Sequence, residues 1–139
     1  MIGRIRFLPA PPHGVPGAVG RYSPSSYYAS AVWLPILGPS TFLAWRLVAS
    51  EIQHHPAGVT TTLDRLAADL GLGSPNGQQA AIGRTLRRLE RFGVTRAITD
   101  DLVLVREELP PATPTQLARL HEAVRARHDQ LTDAPAQAS

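Results

Sequence analysis

The 139-residue chain has no cysteine, which excludes a disulfide framework, a thiolate zinc site and a cysteine nucleophile. It has no lysine either, so all fourteen of its basic residues are arginine. A lysine-free chain rich in Ala, Arg and Pro fits GC-rich coding, so arginine content alone is no argument for phosphate binding. Clustering of the arginines needs its own explanation. No apolar run reaches the length of a membrane span. Acidic residues are missing before Glu51, as in a transit peptide, but residues 9–24 are Pro-rich and not amphipathic. The N-terminus lacks a continuous hydrophobic segment ahead of a small-residue cleavage site, so no secretory signal is expected. The expected location is the cytoplasm.

What is present describes a folded chain. A hydrophobic fraction of 43% and a charged fraction of 18% suit one domain with appendages and a modest core. The net charge of +3 is mild, but its distribution is uneven. Arg84, Arg87, Arg88, Arg91 and Arg96 oppose only Glu90 between residues 82 and 98. The next stretch reverses sign, with Asp100, Asp101, Glu107 and Glu108 around Arg106.

Residues 1–37 read as a Pro/Gly-rich arm, with a strand candidate at Ile2 to Leu8 and a short aromatic helix after Ser23-Pro24 that stops before Pro35. The central domain is expected to span residues 38–108. Gly38-Pro39-Ser40 opens a long helix to about His54, apolar around so much of its circumference that it must be buried. His54 and His55 suit the negative end of that helix better than a metal, and no metal or cofactor is expected. Val59 is a one-rung strand, and Thr61-Thr62-Leu63-Asp64 offers a capping box for a short helix ending at Gly71. Residues 73–77 read as a turn. A second helix ends at Gly93, and Val94–Ile98 with Leu102–Val105 form a hairpin around Thr99-Asp100-Asp101. Residues 109–133 hold a last helix starting at Pro114-Thr115-Gln116, and 134–139 are a frayed tail.

The helix from about 77 to 92 carries the chemistry. Ile82, Leu86, Leu89 and Gly93 fall on one side of it. Arg84, Arg87 and Arg91 fall on the other, behind small residues at Gly77 and Ala80. One face can be buried while the other presents cations to a phosphate-lined groove.

The run Leu66-Ala67-Ala68-Asp69-Leu70-Gly71-Leu72, followed by the stretch Ile82 to Gly93, resembles the winged helix-turn-helix DNA-binding proteins of bacteria. In that resemblance Ala67 lets the third helix cross closely, Gly71 makes the turn, and Gly93 leads into the wing. It covers about residues 38–106. The flanks at 33–39 and 109–121 look like those of small actinobacterial proteins of this class. It implies a mainly α fold with a small β-hairpin: a winged helix-turn-helix with an N-terminal extension and a C-terminal helix. Two departures stand out. Leu72 to Ala81 is longer than the family's spacing, so either the turn is longer or the third helix begins earlier. The wing tip Asp100-Asp101 is acidic where a DNA-gripping wing carries cations, so it either stays off the duplex or meets a basic partner.

The implied partner is double-stranded DNA, with Arg84, Arg87 and Arg91 reaching it. Asn76, Gln79, Thr60 and Thr61 would serve phosphates or bases, and Arg88 and Arg96 would flank the backbone. Such domains usually dimerise. The stripe Leu117, Leu120, Val124 and Leu131 is either that interface or a surface packing back on the first long helix. His121 and His128 read as solvated edge residues. The leading expectation is a nucleoid-associated transcriptional regulator. Its rivals are a winged helix used for protein–protein contact, through the acidic tip and the aromatic N-terminal segment, and a low-specificity DNA-coating protein. An enzyme is least expected, since there is no Gly-rich phosphate loop or metal-ligand pair, and Ser40, Ser50 and Ser74 lack a partner base.

Overall fold

The computed structural model describes residues 4–11, 21–72 and 75–138, excepting the side chains of 75–80 and 133–138. In Arg4-Ile5-Arg6-Phe7 charged and apolar residues alternate, which buries one face of a strand and wets the other. This is β1 (Arg4–Pro9), with Ile5 and Phe7 buried and both arginines exposed. It sits inside the four-stranded sheet of a mixed α/β fold. β2 (Val59–Thr62) pairs with it antiparallel on one side, setting Phe7 opposite Val59. β4 (Leu102–Val105) pairs with it parallel on the other, and β3 (Thr95–Thr99) closes the far edge. The small hairpin expected from the sequence is therefore half of a larger sheet. A strand from the expected arm lies between the one-rung strand and the hairpin.

The boundary placed at residue 37 does not divide the packing. One hydrophobic core holds Phe7, Val32, Trp33 and Leu37 together with Trp45, Ile52, Ile82, Leu89, Val105 and Leu109. The aromatic helix also runs through Pro35. A π-helical segment, Ala29–Trp33, passes directly into α1 (Leu34–Leu37), the Leu34 amide donating back to the Ala29 carbonyl. Proline lacks an amide and crowds the carbonyl four residues earlier. A single π turn lets a helix absorb that. The buried aromatics then hold the segment after β4. Trp45 Nε1 donates to the Arg106 carbonyl at 2.8 Å and Trp33 Nε1 to that of Pro110 at 3.0 Å. The Ala112 amide donates to the Tyr28 hydroxyl at 2.8 Å. Buried indoles and phenols need such partners, and here they fix a Pro-rich segment that makes no ladder of its own.

α2 (Pro39–His54) is buried along its length through Phe42, Trp45, Val48 and Ile52, as its composition demanded. α3 (Leu63–Asp69) starts at Thr62, whose hydroxyl accepts from the Arg65 amide at 3.1 Å, so the cap lies one residue later than the capping box read from the sequence. α4 (Pro75–Arg91) includes Pro75, Asn76 and Gly77, which had read as a turn. Residues 73 and 74 lie outside the described ones.

The expected last helix is two. α5 (Pro114–Leu117) is a single turn, held by a capping box between Thr113 and Gln116. α6 (Glu122–Ala138) restarts at His121, whose Nδ1 accepts from the Ala123 amide at 3.0 Å. The Leu117/Leu120/Val124/Leu131 stripe is therefore not the face of one helix. Val124 is buried, and the three leucines pack partly buried on the chain's own core. Packing back within one chain, the other reading of the stripe, is what these contacts show. His128 shares a 2.8 Å hydrogen bond with the Tyr28 hydroxyl and is half-buried, so it is no solvated edge residue. Among the described residues no helix is long and apolar enough to cross a membrane.

Candidate nucleic-acid interface

Two glycines set the direction of α4. At Gly71 (φ +68) the amides of Gly71 and Leu72 return to the carbonyls of Ala68 and Ala67, ending α3 with a reversal. At Gly93 (φ +75) the amides of Gly93 and Val94 return to Glu90 and Leu89, ending α4 in the same way. Both positions need the left-handed conformation that glycine adopts without steric cost. Between them α4 packs on α2 and α3 through a seam of Ile82, Thr85 and Leu89, all buried. The sequence had placed Leu86 in this seam. It is half-buried instead, and faces a cleft toward Ile5 and Val103 of the sheet.

The arginines of α4 divide into two groups. Arg84, Arg87 and Arg91 are exposed. None of the three makes an ion pair or side-chain hydrogen bond among the described residues, where the one salt bridge joins Arg65 to Asp69. Arg88 is different. Its Nε and Nη2 donate to the Leu37 carbonyl at 3.1 and 3.0 Å, Nη2 also reaches the Ile36 carbonyl at 3.4 Å, and the guanidinium lies 5.3 Å from the centre of the Phe92 ring. Arg88 caps the end of α1, so its expected place on a DNA backbone is corrected. Those carbonyls are left without partners where a short helix stops, and a guanidinium fork suits them.

Neighbouring groups shape the row further. Glu90, the acidic residue within it, turns away and accepts from the Ala97 amide at 3.0 Å, covering the free edge of β3. At the hairpin tip Asp101 accepts from the Thr99 hydroxyl at 2.7 Å, and its own carbonyl accepts from the Arg6 amide. Arg87 and Asp100 line one open cleft between α4 and the hairpin, about 580 Å³ in volume.

The other expected contacts are not gathered here. Arg96 stands opposite Leu104, and strand alternation puts it on the face of the sheet away from Thr95 and Ala97, hence away from α4. Thr60 and Thr61 belong to β2, paired with Arg6 and Ile5. They line a separate cleft of about 470 Å³ between α2, β2 and α3, which no described residue of α4 lines. Pairing in a sheet removed them from the helix start at which the sequence had put them. Asn76 and Gln79 lie in the first turns of α4, and their side chains are outside the described ones.

What the sequence reading missed is the start of α2. Pro39, Ser40 and Thr41 come up beside Arg84, Thr85 and Arg88 around a cleft of about 450 Å³. The signal was available in Gly38-Pro39-Ser40-Thr41, a helix start with no capping side chain and no carboxylate in its first turn.

No protein-family model, curated protein or solved structure matches this chain. The functional reading therefore rests on the groups just described.

Proposed function

We propose that the chain binds double-stranded DNA, presenting α4 to the major groove as the recognition helix of a winged helix-turn-helix, and that it acts as a transcriptional regulator. The observation that carries this reading is the division of α4. Ile82, Thr85 and Leu89 are sealed against the body, while Arg84, Arg87 and Arg91 stand in solvent with no partner among the described residues. The order α3, Gly71 turn, α4, Gly93, hairpin supports it. A helix held rigidly on one side and cationic on the other can enter a groove without rearrangement.

Arginine reads guanine through O6 and N7 at once, and each good pair contributes about 1–3 kcal/mol of discrimination. Arg84 and Arg87, three residues apart, lie on one helix face and reach adjoining positions. Arg91, one turn past Arg87, serves the backbone as the groove curves away. Arg88 and Arg96 add little to this surface, since Arg88 is committed to α1 and Arg96 faces elsewhere. Selection from randomised duplexes tests the proposal. Enrichment of a short guanine-containing site is the expected result. Failure to retain any duplex at low salt would refute it, and would favour a protein partner seated at Asp100 and Arg87.

A further inference from the structure

We propose that the cleft between the start of α2 and the middle of α4 is a phosphate site, taking one phosphodiester of the duplex beside the groove that α4 enters. The occupant rests on the DNA-binding reading, but most of the groups involved are independent of it.

α2 is sixteen residues long and its first turn is bare. Gly38 has no side chain to cap it, Pro39 has no amide, and no acidic residue follows in that turn. The Ser40 and Thr41 amides find no acceptor among the described residues. Both lie at the positive end of the helix dipole, where anions bind. The nearby carbonyls of Ile36 and Leu37 are already occupied by Arg88.

A second observation points into the same cleft. Thr41 and Thr85 are only 3% and 6% exposed, and neither hydroxyl makes a hydrogen bond among the described residues. No fully sealed side-chain oxygen among those residues lacks a partner. The little surface these two threonines keep therefore includes their hydroxyls, and both residues line the cleft. Arg84 lines it too and supplies the charge. Residues lining the cleft thus bring two free amides, two hydroxyls and a guanidinium to it, and no carboxylate is among the described lining residues. Such a donor set matches the acceptor oxygens of a phosphate. Arg84 would then bridge from the groove to the backbone, and α2 would fix the register of the duplex.

The test is a titration of the full-length protein with inorganic phosphate at constant ionic strength, following the Ser40 and Thr41 amide resonances. Saturable shifts at both are expected, and Ser40→Asp should abolish them by putting a carboxylate at the helix start. The double variant Thr41→Val/Thr85→Val keeps the charge and removes the hydroxyls. It should weaken both phosphate and duplex binding about tenfold while melting no lower than wild type. Absence of saturable shifts overturns the site, even where duplex binding sensitive to Arg84 and Arg87 survives and the functional reading stands. Phosphate binding at these amides with duplex affinity unchanged in the double-valine variant overturns the DNA phosphodiester as occupant. Phosphate binding by a protein that retains no duplex overturns that occupant together with the DNA-binding function.

Discussion

Arg87 and Arg88 are neighbours in sequence and opposites in the structure. Arg87 lies back along α4, its guanidinium near Gly83, exposed and unpaired among the described residues. Arg88, about 100° further around the helix, is half-buried and tied to the end of α1. One side of α4 thus uses its charge to hold the molecule together and the other leaves its charge unspent. The lesson is that a cation's role follows from what the opposite surface lacks. The free carbonyls of α1 drew in Arg88, and among the described residues no such carbonyls bind Arg84, Arg87 or Arg91.

The largest expected effect comes from the exposed side. Arg84→Ala/Arg87→Ala should lower duplex affinity about thirtyfold or more, taking each arginine at 1–3 kcal/mol, and leave the melting temperature near wild type. Filter binding with calorimetry on the same preparation checks both halves. Unfolding of that variant would mean that these arginines are structural and that the division of α4 is mistaken. The reverse is expected of Arg88→Ala. Losing a charged donor from two helix-end carbonyls should cost about 1–3 kcal/mol in denaturant unfolding. Arg88→Lys should recover only part of this, since one ammonium cannot reproduce the fork.

Gly93→Ala sharpens the comparison by altering where α4 stops. Nothing crowds a Cβ there, so the cost is conformational alone, about 1–2 kcal/mol for a left-handed residue, with duplex affinity per folded molecule preserved. The smallest effect concerns the far side of the core. Burial pushes the Tyr28 phenol above its ordinary value of 10.0, the Ala112 amide pulls it part of the way back, and Tyr22 adds to the rise. A raised folded value means that the neutral phenol's contribution is complete below pH 10 and is lost as pH rises through the folded value. Tyr28→Phe should therefore flatten the alkaline end of a stability–pH curve and leave duplex binding alone.

Local patterns in the sequence carried much of this. The circumference of α2, the ends of α3 and α4 at Gly71 and Gly93, and the hairpin were legible because period and turn chemistry agreed at each. Legibility failed where a partner lay far along the chain. β1 was readable as a strand, but its place in the sheet depends on pairing with β2 and β4, more than fifty and ninety residues on. Pro35 reads as a stop, and only the π turn carries the helix past it. The leucine stripe obeyed a helical period across a break that His121 caps. A helical wheel separates the faces of α4, yet it cannot show that carbonyls of Ile36 and Leu37 wait opposite Arg88. Nor can it show that pairing with β1 keeps Thr60 and Thr61 in a strand.

The central claim is that the free arginines of α4 meet phosphate and base edges of a duplex. Its most direct measurement is the salt dependence of binding to one short duplex by wild type and by Arg84→Ala/Arg87→Ala. Phosphate contacts by Arg91 and by the bridging Arg84 predict a log–log slope of about −1.8 per protomer for wild type, falling by about 0.9 in magnitude in the variant. A flat wild-type slope, or a slope that the two substitutions leave unchanged, would contradict it.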